Sequence, residues 1–141
     1  MSIRYQKDLN NVSWDRIAEL FHCVGWGIRN TDEIEKAFME SSHVRVAWDG
    51  SNIIGFGRTV DDGKYYALIV DLVIDPVYQG RGIGKKILAE LCDELKDFYF
   101  TTLTAAPGKD NFYLKQGWKR QTSAFIWSRS PKQENEHATN S

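Results

Sequence analysis

Leu72-Val73-Ile74-Asp75-Pro76-Val77-Tyr78-Gln79-Gly80-Arg81-Gly82-Ile83-Gly84 reads as an apolar strand, a proline-stopped turn and the first turn of a helix. Asp75-Pro76 ends the strand, because proline lacks the N–H that a ladder needs. Ile83, Ile87, Leu88, Leu91, Cys92 and Leu95 then recur at helical spacing and predict one apolar stripe. Between the two elements, three alternating glycines let backbone amides crowd together where a helix begins. Unpaired N–H groups and the positive end of the helix dipole then face one spot, which suits an anion such as a pyrophosphate. Arg81, Lys85 and Lys86 add positive charge. A glycine-rich turn that only redirects the chain remains the alternative.

Two familiar phosphate-binding patterns fail here. A P-loop requires Gly-Lys-Ser/Thr after four intervening residues, and no such run exists. A dinucleotide fingerprint requires G-x-G-x-x-G with an acidic residue about 20 positions on; here Gly80, Gly82 and Gly84 alternate, and Thr101–Thr104 fill that window.

Working outward from the turn, Tyr65–Ile74 is an apolar run expected to be a central strand buried on both faces. Before it, Val44–Trp48 and Ile53–Val60 flank Asp49-Gly50-Ser51-Asn52, and Asp61-Asp62-Gly63-Lys64 makes a second turn. Three strands of an antiparallel meander are predicted. Ile3–Gln6 predicts a first strand. Trp14, Ile17, Leu20 and Phe21 predict a helix capped from Asn11 or Ser13, and Thr31 to about Ser41 predicts another. After the cradle helix come a strand at Tyr99–Thr104, a short helix at Asp110–Gln116 closed by Gly117, and strands at Trp118–Arg120 and Ala124–Trp127.

The 141 residues, 42% hydrophobic and 26% charged, suit one domain with its own core, expected over 1–128. The polar stretch 129–141 is expected as a disordered tail. A formal net charge of −1 gives no reason to expect nucleic acid or an anionic membrane as partner. The first residues match neither a signal nor a transit peptide, and no apolar run nears the ~20 residues of a membrane span. Cys23 and Cys92 lack metal-ligand spacing and are expected as buried free thiols, with no metal and a cytoplasmic location.

The turn, taken with Phe112-Tyr113-Leu114-Lys115-Gln116-Gly117-Trp118, resembles the GNAT superfamily of acetyl-CoA-dependent N-acetyltransferases. Gln79–Gly84 is similar to the family's Q/R-x-x-G-x-G/A core, and the second segment to its F-Y-x-K-x-G-F/W run. The resemblance, covering roughly Ile3 to Trp127, implies an α/β (α+β) fold. That fold is a mixed, mostly antiparallel sheet of about six to seven strands with a splayed parallel central pair, flanked by about four helices. It implies acetyl-CoA as co-substrate, with main-chain groups of Leu72, Val73 and Ile74 along the pantetheine arm. Gln79, Gly80, Arg81, Gly82, Ile83 and Gly84, with Lys85, would cradle the pyrophosphate. Asn111 would be an amide partner for the arm, and Tyr113 the acid for the departing thiolate.

The same resemblance places Leu68 where the histone-acetylating branch carries a glutamate base. Asp71 is the nearest titratable replacement, with water as the alternative. It differs from Leu68 by an odd number and should face the other side unless a bulge near residue 72 changes the parity. Trp26 and Arg29 lie in the loop that walls the acceptor pocket in this family. Three functions stay open: acetylation of a primary amine on a small-molecule or amino-acid-like acceptor, acetylation of protein lysines, and a non-catalytic acyl-CoA-binding module. Edge strands near the C-terminus allow a homodimer.

Overall fold

The structure is a computed structural model that describes residues 2–139; Met1, Asn140 and Ser141, the ends of the expected domain and tail, lie outside the described residues. It divides into two compact units, Met1–Leu103 and Thr104–Ser141. The first carries β1 (Ile3–Gln6), α1 (Trp14–Cys23), α2 (Thr31–Met39), β2 (His43–Asp49), β3 (Asn52–Asp61), β4 (Tyr66–Ile74), α3 (Ile83–Glu94) and β5 (Phe100–Leu103). The second carries α4 (Asp110–Lys115) and α5 (Pro131–His137).

The sheet order is β1-β2-β3-β4-β5, antiparallel throughout except for β4 with β5, which run parallel. Both predicted hairpins form. Gly50 takes φ 59° and Gly63 takes φ 80°, conformations that glycine adopts at low cost. In the second turn, Asp62 Oδ1 accepts from the amides of Lys64, Tyr65 and Tyr66, at 2.7–3.1 Å. Those bonds hold its carboxyl below the usual carboxylate range.

Amphipathic helices cover the two faces of the sheet. Ile17, Leu20 and Phe21 of α1 and Ile34 and Phe38 of α2 pack with Val44, Val46, Trp48, Ile53, Phe56 and Val73. Phe56 is fully buried, with ring centroids 5.1 Å from Phe21 and 5.5 Å from Phe38. The buried α3 stripe is Ile83, Ile87, Leu88 and Leu91, as the periodicity predicts. Gly57 faces that helix. A Cβ there would meet Leu91 at 3.0 Å and Ile87 at 3.1 Å, so a larger residue would push α3 off the sheet. Arg45, 3% exposed, ties β2 to the same helix through Glu90 at 2.8 Å and Glu94 at 3.1 Å.

The helix caps follow local chemistry. Ser13 Oγ accepts from the Arg16 amide at the head of α1. α2 begins at Thr31, as expected, and Asn30 caps it: its side chain accepts from the amides of Asp32 and Glu33.

Five expectations change. Among the described residues the sheet has five strands, not six to seven, and the parallel pair lies at its edge rather than its centre. Trp118–Arg120 and Ala124–Trp127 form no strand among the described residues, and Phe125 and Trp127 are exposed. Their composition favours a strand, but a strand needs a neighbour for its N–H and C=O groups. The α-helices number five among the described residues, because the stretch expected as a disordered tail contains α5. Ser130 caps it, Pro131 takes the first turn and Lys132–Glu136 pair at i,i+4. Next, β4 is not buried on both faces, since Tyr66 and Leu68 are exposed while Ala67 and Ile69 are buried. The apolar cluster under α1 and α2 reaches Phe56 and Val73 but does not include Leu68. Finally, Cys23 is exposed at the end of α1 and Cys92 half-buried.

Candidate functional site

β4 carries a bulge at the position where the sequence leaves parity open. Its register against β3 runs Gly55↔Ile74 and Phe56↔Val73, then Arg58↔Val70. Two steps on β3 therefore face three on β4, so Asp71 and Leu72 together oppose Gly57. Asp71 takes φ 54°, a left-handed conformation uncommon outside glycine and asparagine. The bulge turns the Asp71 carboxylate toward Arg58, whose guanidinium lies 5.7 Å from the Phe38 ring on the α1/α2 face. Leu72 points instead toward α3, beside Gly57.

Pairing of β4 with β5 covers only Tyr66↔Phe100 to Ile69↔Leu103. β5 ends at that pair, and Val70–Ile74 have strand partners only on the β3 side among the described residues. Past Ile69, Leu72 and Ile74 lie on a stretch of β4 with no β5 register partner among the described residues, where Ile74 O is taken by the Gln79 side chain and Val73 is paired with Phe56 of β3. An extended pantetheine arm would pair along that side.

The strand leads into a pinned turn. Asp75 donates its amide to Ile54 O at 2.8 Å, and its carboxylate accepts from Val77 N at 3.0 Å and from Arg16 at 2.7 Å. Gln79 Nε2 donates to Ile74 O at 3.1 Å, closing the loop from within. Tyr78 OH donates to Asp49 Oδ2 at 2.6 Å, and that bond pushes the phenol's pKa up.

Gly80 and Gly82 have φ of 79° and 82°, and Gly82 occupies the N-cap of α3 without any side-chain cap. Nothing stands within 4 Å of where a Cβ of either would lie. The cradle is therefore open on the side a side chain would fill, with the first-turn amides of α3 at its floor. Ile83 is buried and Gly84 half-buried, so they contribute main chain; Lys85 and Arg81 are exposed, and Arg81 lies 5.1 Å from the Tyr78 ring. The cradle and the stretch of β4 beyond its β5 pairing fit the diphosphate and amide arm of a coenzyme A thioester.

A cleft of about 360 Å³ opens on the α1/α2 face. Phe21, Ile34 and Phe38 wall it, and Arg29, Arg58, Asp71 and Glu33 bring charge to it. Asp71 Oδ2 accepts from Arg58 Nε at 2.8 Å, and its Oδ1 lies 3.9 Å from Arg29. Of the predicted pocket residues, Arg29 lines this cleft and lies 4.1 Å from the Phe21 ring. Trp26 does not line it and instead packs on Phe21 at 5.7 Å. Sequence reasoning missed Arg58 and Glu33. Arg58 carries the same signal that singled out Asp71, a charge within an apolar strand run.

The second unit holds the remaining predicted residues. Tyr113 lies on α4, half-buried, with ring centroids 5.0 Å from Phe112 and 6.4 Å from Trp118. Burial pushes its phenol pKa above the ordinary tyrosine value. Gly117, with φ 90°, closes the helix: its amide bonds Leu114 O and the Trp118 amide bonds Tyr113 O, both at 3.1 Å. Asn111 is exposed, and Asp110 pairs with Arg120.

A bulged strand leading into a glycine-lined helix N-terminus defines an α/β protein with an open backbone cradle at the head of α3. Residues 23–128 match the model of the acetyltransferase (GNAT) domain, and the chain belongs to that family. An "Uncharacterized N-acetyltransferase ycf52-like" from Prochlorococcus marinus is 36% identical over 109 residues, covering 72% of this chain. The chain spans 60% of that relative's length. Among solved structures, a GNAT-family acetyltransferase from Streptococcus pneumoniae superposes with TM-score 0.77 at 28% identity, covering 91% of this chain and 98% of that one. A probable acetyltransferase from Staphylococcus aureus reaches TM-score 0.80 at 21% identity, covering 92% of this chain and all of that one, which shows the shared fold.

Proposed function

We propose that this chain is an acetyl-CoA-dependent N-acetyltransferase that acts on the primary amine of a small-molecule or amino-acid-like acceptor, by direct attack in a ternary complex. The observation that carries the reading is a continuous one. Strand β4, whose pairing with β5 ends at Ile69 among the described residues, leads through the Asp75–Gln79 turn into the open Gly80–Gly84 cradle, a span suited to an acyl-CoA.

Bound acetyl-CoA supplies an activated acetyl group on a good leaving group. The residues do the rest. Amides from Gln79 to Gly84 and Lys85 hold the pyrophosphate, and Leu72–Ile74 hold the arm, with Asn111 as a further amide partner. The Tyr113 phenol is protonated at neutral pH, as any tyrosine is, and burial holds it further on that side, so it has a proton to deliver to a thiolate. Asp71 is already engaged by Arg58, which favours a positioning role and leaves water to take the amine proton. A homodimer stays within the proposal.

Thiol release from acetyl-CoA across a panel of amines tests the reading. Turnover with at least one amine is expected. Tight CoA binding with no turnover across a broad panel would favour the non-catalytic binding module, which the leucine at position 68 also suits.

A further inference from the structure

The charged groups of the α1/α2 cleft are unequally engaged. Arg58 uses Nε on Asp71 at 2.8 Å and Nη1 on Ser41 Oγ at 3.3 Å. Ser41 Oγ is itself fixed by donating to Ala37 O at 2.8 Å. A guanidinium has five N–H donors, so three of those on Arg58 have no partner among the described residues. Arg29 lies over the face of Phe21 at 4.1 Å, and within 5.8 Å of Trp26. Stacking uses the face of the guanidinium and leaves its in-plane N–H edges available.

Asp71 is the shared centre of this arrangement, with one oxygen toward each arginine. Around Asp71 two cations face one carboxylate, while the fourth charged lining residue, Glu33, balances the cleft as a whole. The other lining carboxylate, Glu33, has no ion-pair partner among the described residues and is exposed on the first turn of α2.

Resting on the acetyltransferase reading, we infer that the acceptor carries an oxyanion, a carboxylate or a phosphate, close to its amine. Arg29 and Arg58 bind that oxyanion side by side, and Asp71 is the positioning residue that aims both guanidinium groups. Glu33 faces the cationic amine end before it loses its proton. A cleft of about 360 Å³ lies at the small end of ligand pockets, which suits a compact zwitterion rather than a long chain.

The test uses matched acetylated products, so that it works without turnover. Calorimetric titration into the CoA-saturated protein compares N-acetyl amino acids with the N-acetyl amines lacking only the carboxylate, over small, branched and aromatic side chains. A parallel arm compares N-acetylphosphoethanolamine with N-acetylethanolamine. At least one anionic member should bind on the order of tenfold or more tightly than its neutral match. Which arm shows the preference tells carboxylate from phosphate. Arg29→Gln, at a side chain 41% exposed and so tolerated by the fold, should abolish the preference while leaving CoA affinity unchanged. Equal or weaker binding of every anionic member overturns the inference, as does a preference that survives Arg29→Gln. Thiol release measured alongside separates the outcomes: a lasting anion preference without turnover contradicts the enzyme reading and leaves this inference standing.

Discussion

The cradle and the cleft lie on the same strand and are built from different material. The cradle is backbone: Gly80 and Gly82 in left-handed conformations, the first amides of α3, and the stretch of β4 past the end of its β5 pairing at Ile69. The cleft is side chain: Arg29, Arg58, Asp71 and Glu33 brought together from a loop, two strands and a helix. A backbone site needs particular φ angles, and those needs show as glycines in a fixed local order. A side-chain site needs only that distant residues meet, which no local pattern announces. The bulge at Asp71-Leu72 joins the two, turning Asp71 to the cleft and Leu72 to α3.

Removing the cleft's support should give the largest effect. Phe56→Ala empties a fully buried position between Phe21 and Phe38 and should destabilise the fold by about 3–5 kcal/mol in denaturant titration. A loss below about 1 kcal/mol would mean that this aromatic cluster does not hold α1 and α2 to the sheet.

Chemistry comes next. Tyr113→Phe should lower kcat by about 10²–10³-fold without weakening CoA binding, because it removes a proton and little surface. The sign of the pH dependence follows from the raised pKa: the phenol is protonated at every pH below the free-tyrosine value of about 10. Any loss of rate through this group should therefore appear only as pH rises beyond that value, and the mutant should lack that limb.

A smaller change separates the two sites. Asp71→Gly keeps the left-handed bulge, since glycine accepts φ 54°, but deletes the clamp on both arginines. Acceptor KM should rise on the order of tenfold, with CoA affinity held. Equal losses on both sides would show the cradle and the cleft to be one unit. The smallest effect belongs to the β3–β4 turn. Asp62 has a depressed pKa because it accepts backbone amides, so its contribution is present above the usual carboxylate range. It is lost only as pH falls through the depressed folded value, and Asp62→Asn should flatten this limb of the acid-unfolding curve.

The sequence made the meander, the α3 stripe, the cradle and the Gly117 stop legible because each rests on neighbours in the chain. Trp118–Arg120 and Ala124–Trp127 misled, because strand composition does not reveal whether a partner edge exists. The helix at Pro131–His137 went unseen since its composition looked solvated, although Ser130-Pro131 carried a cap signal. Asp71 was singled out as an odd charge in an apolar strand. What it meets was not legible, because Arg58 is a cross-strand neighbour and Arg29 lies more than 40 positions away in the chain.

The central claim is that the Gln79–Gly84 turn holds the diphosphate of coenzyme A. Calorimetric titration of CoA into wild type and Gly82→Val tests it most directly, with circular dichroism confirming that the variant folds. The account predicts that binding disappears, because valine would put a branched side chain into the open cradle and strain a backbone held at φ 82°. A folded variant that binds CoA with unchanged affinity would contradict it.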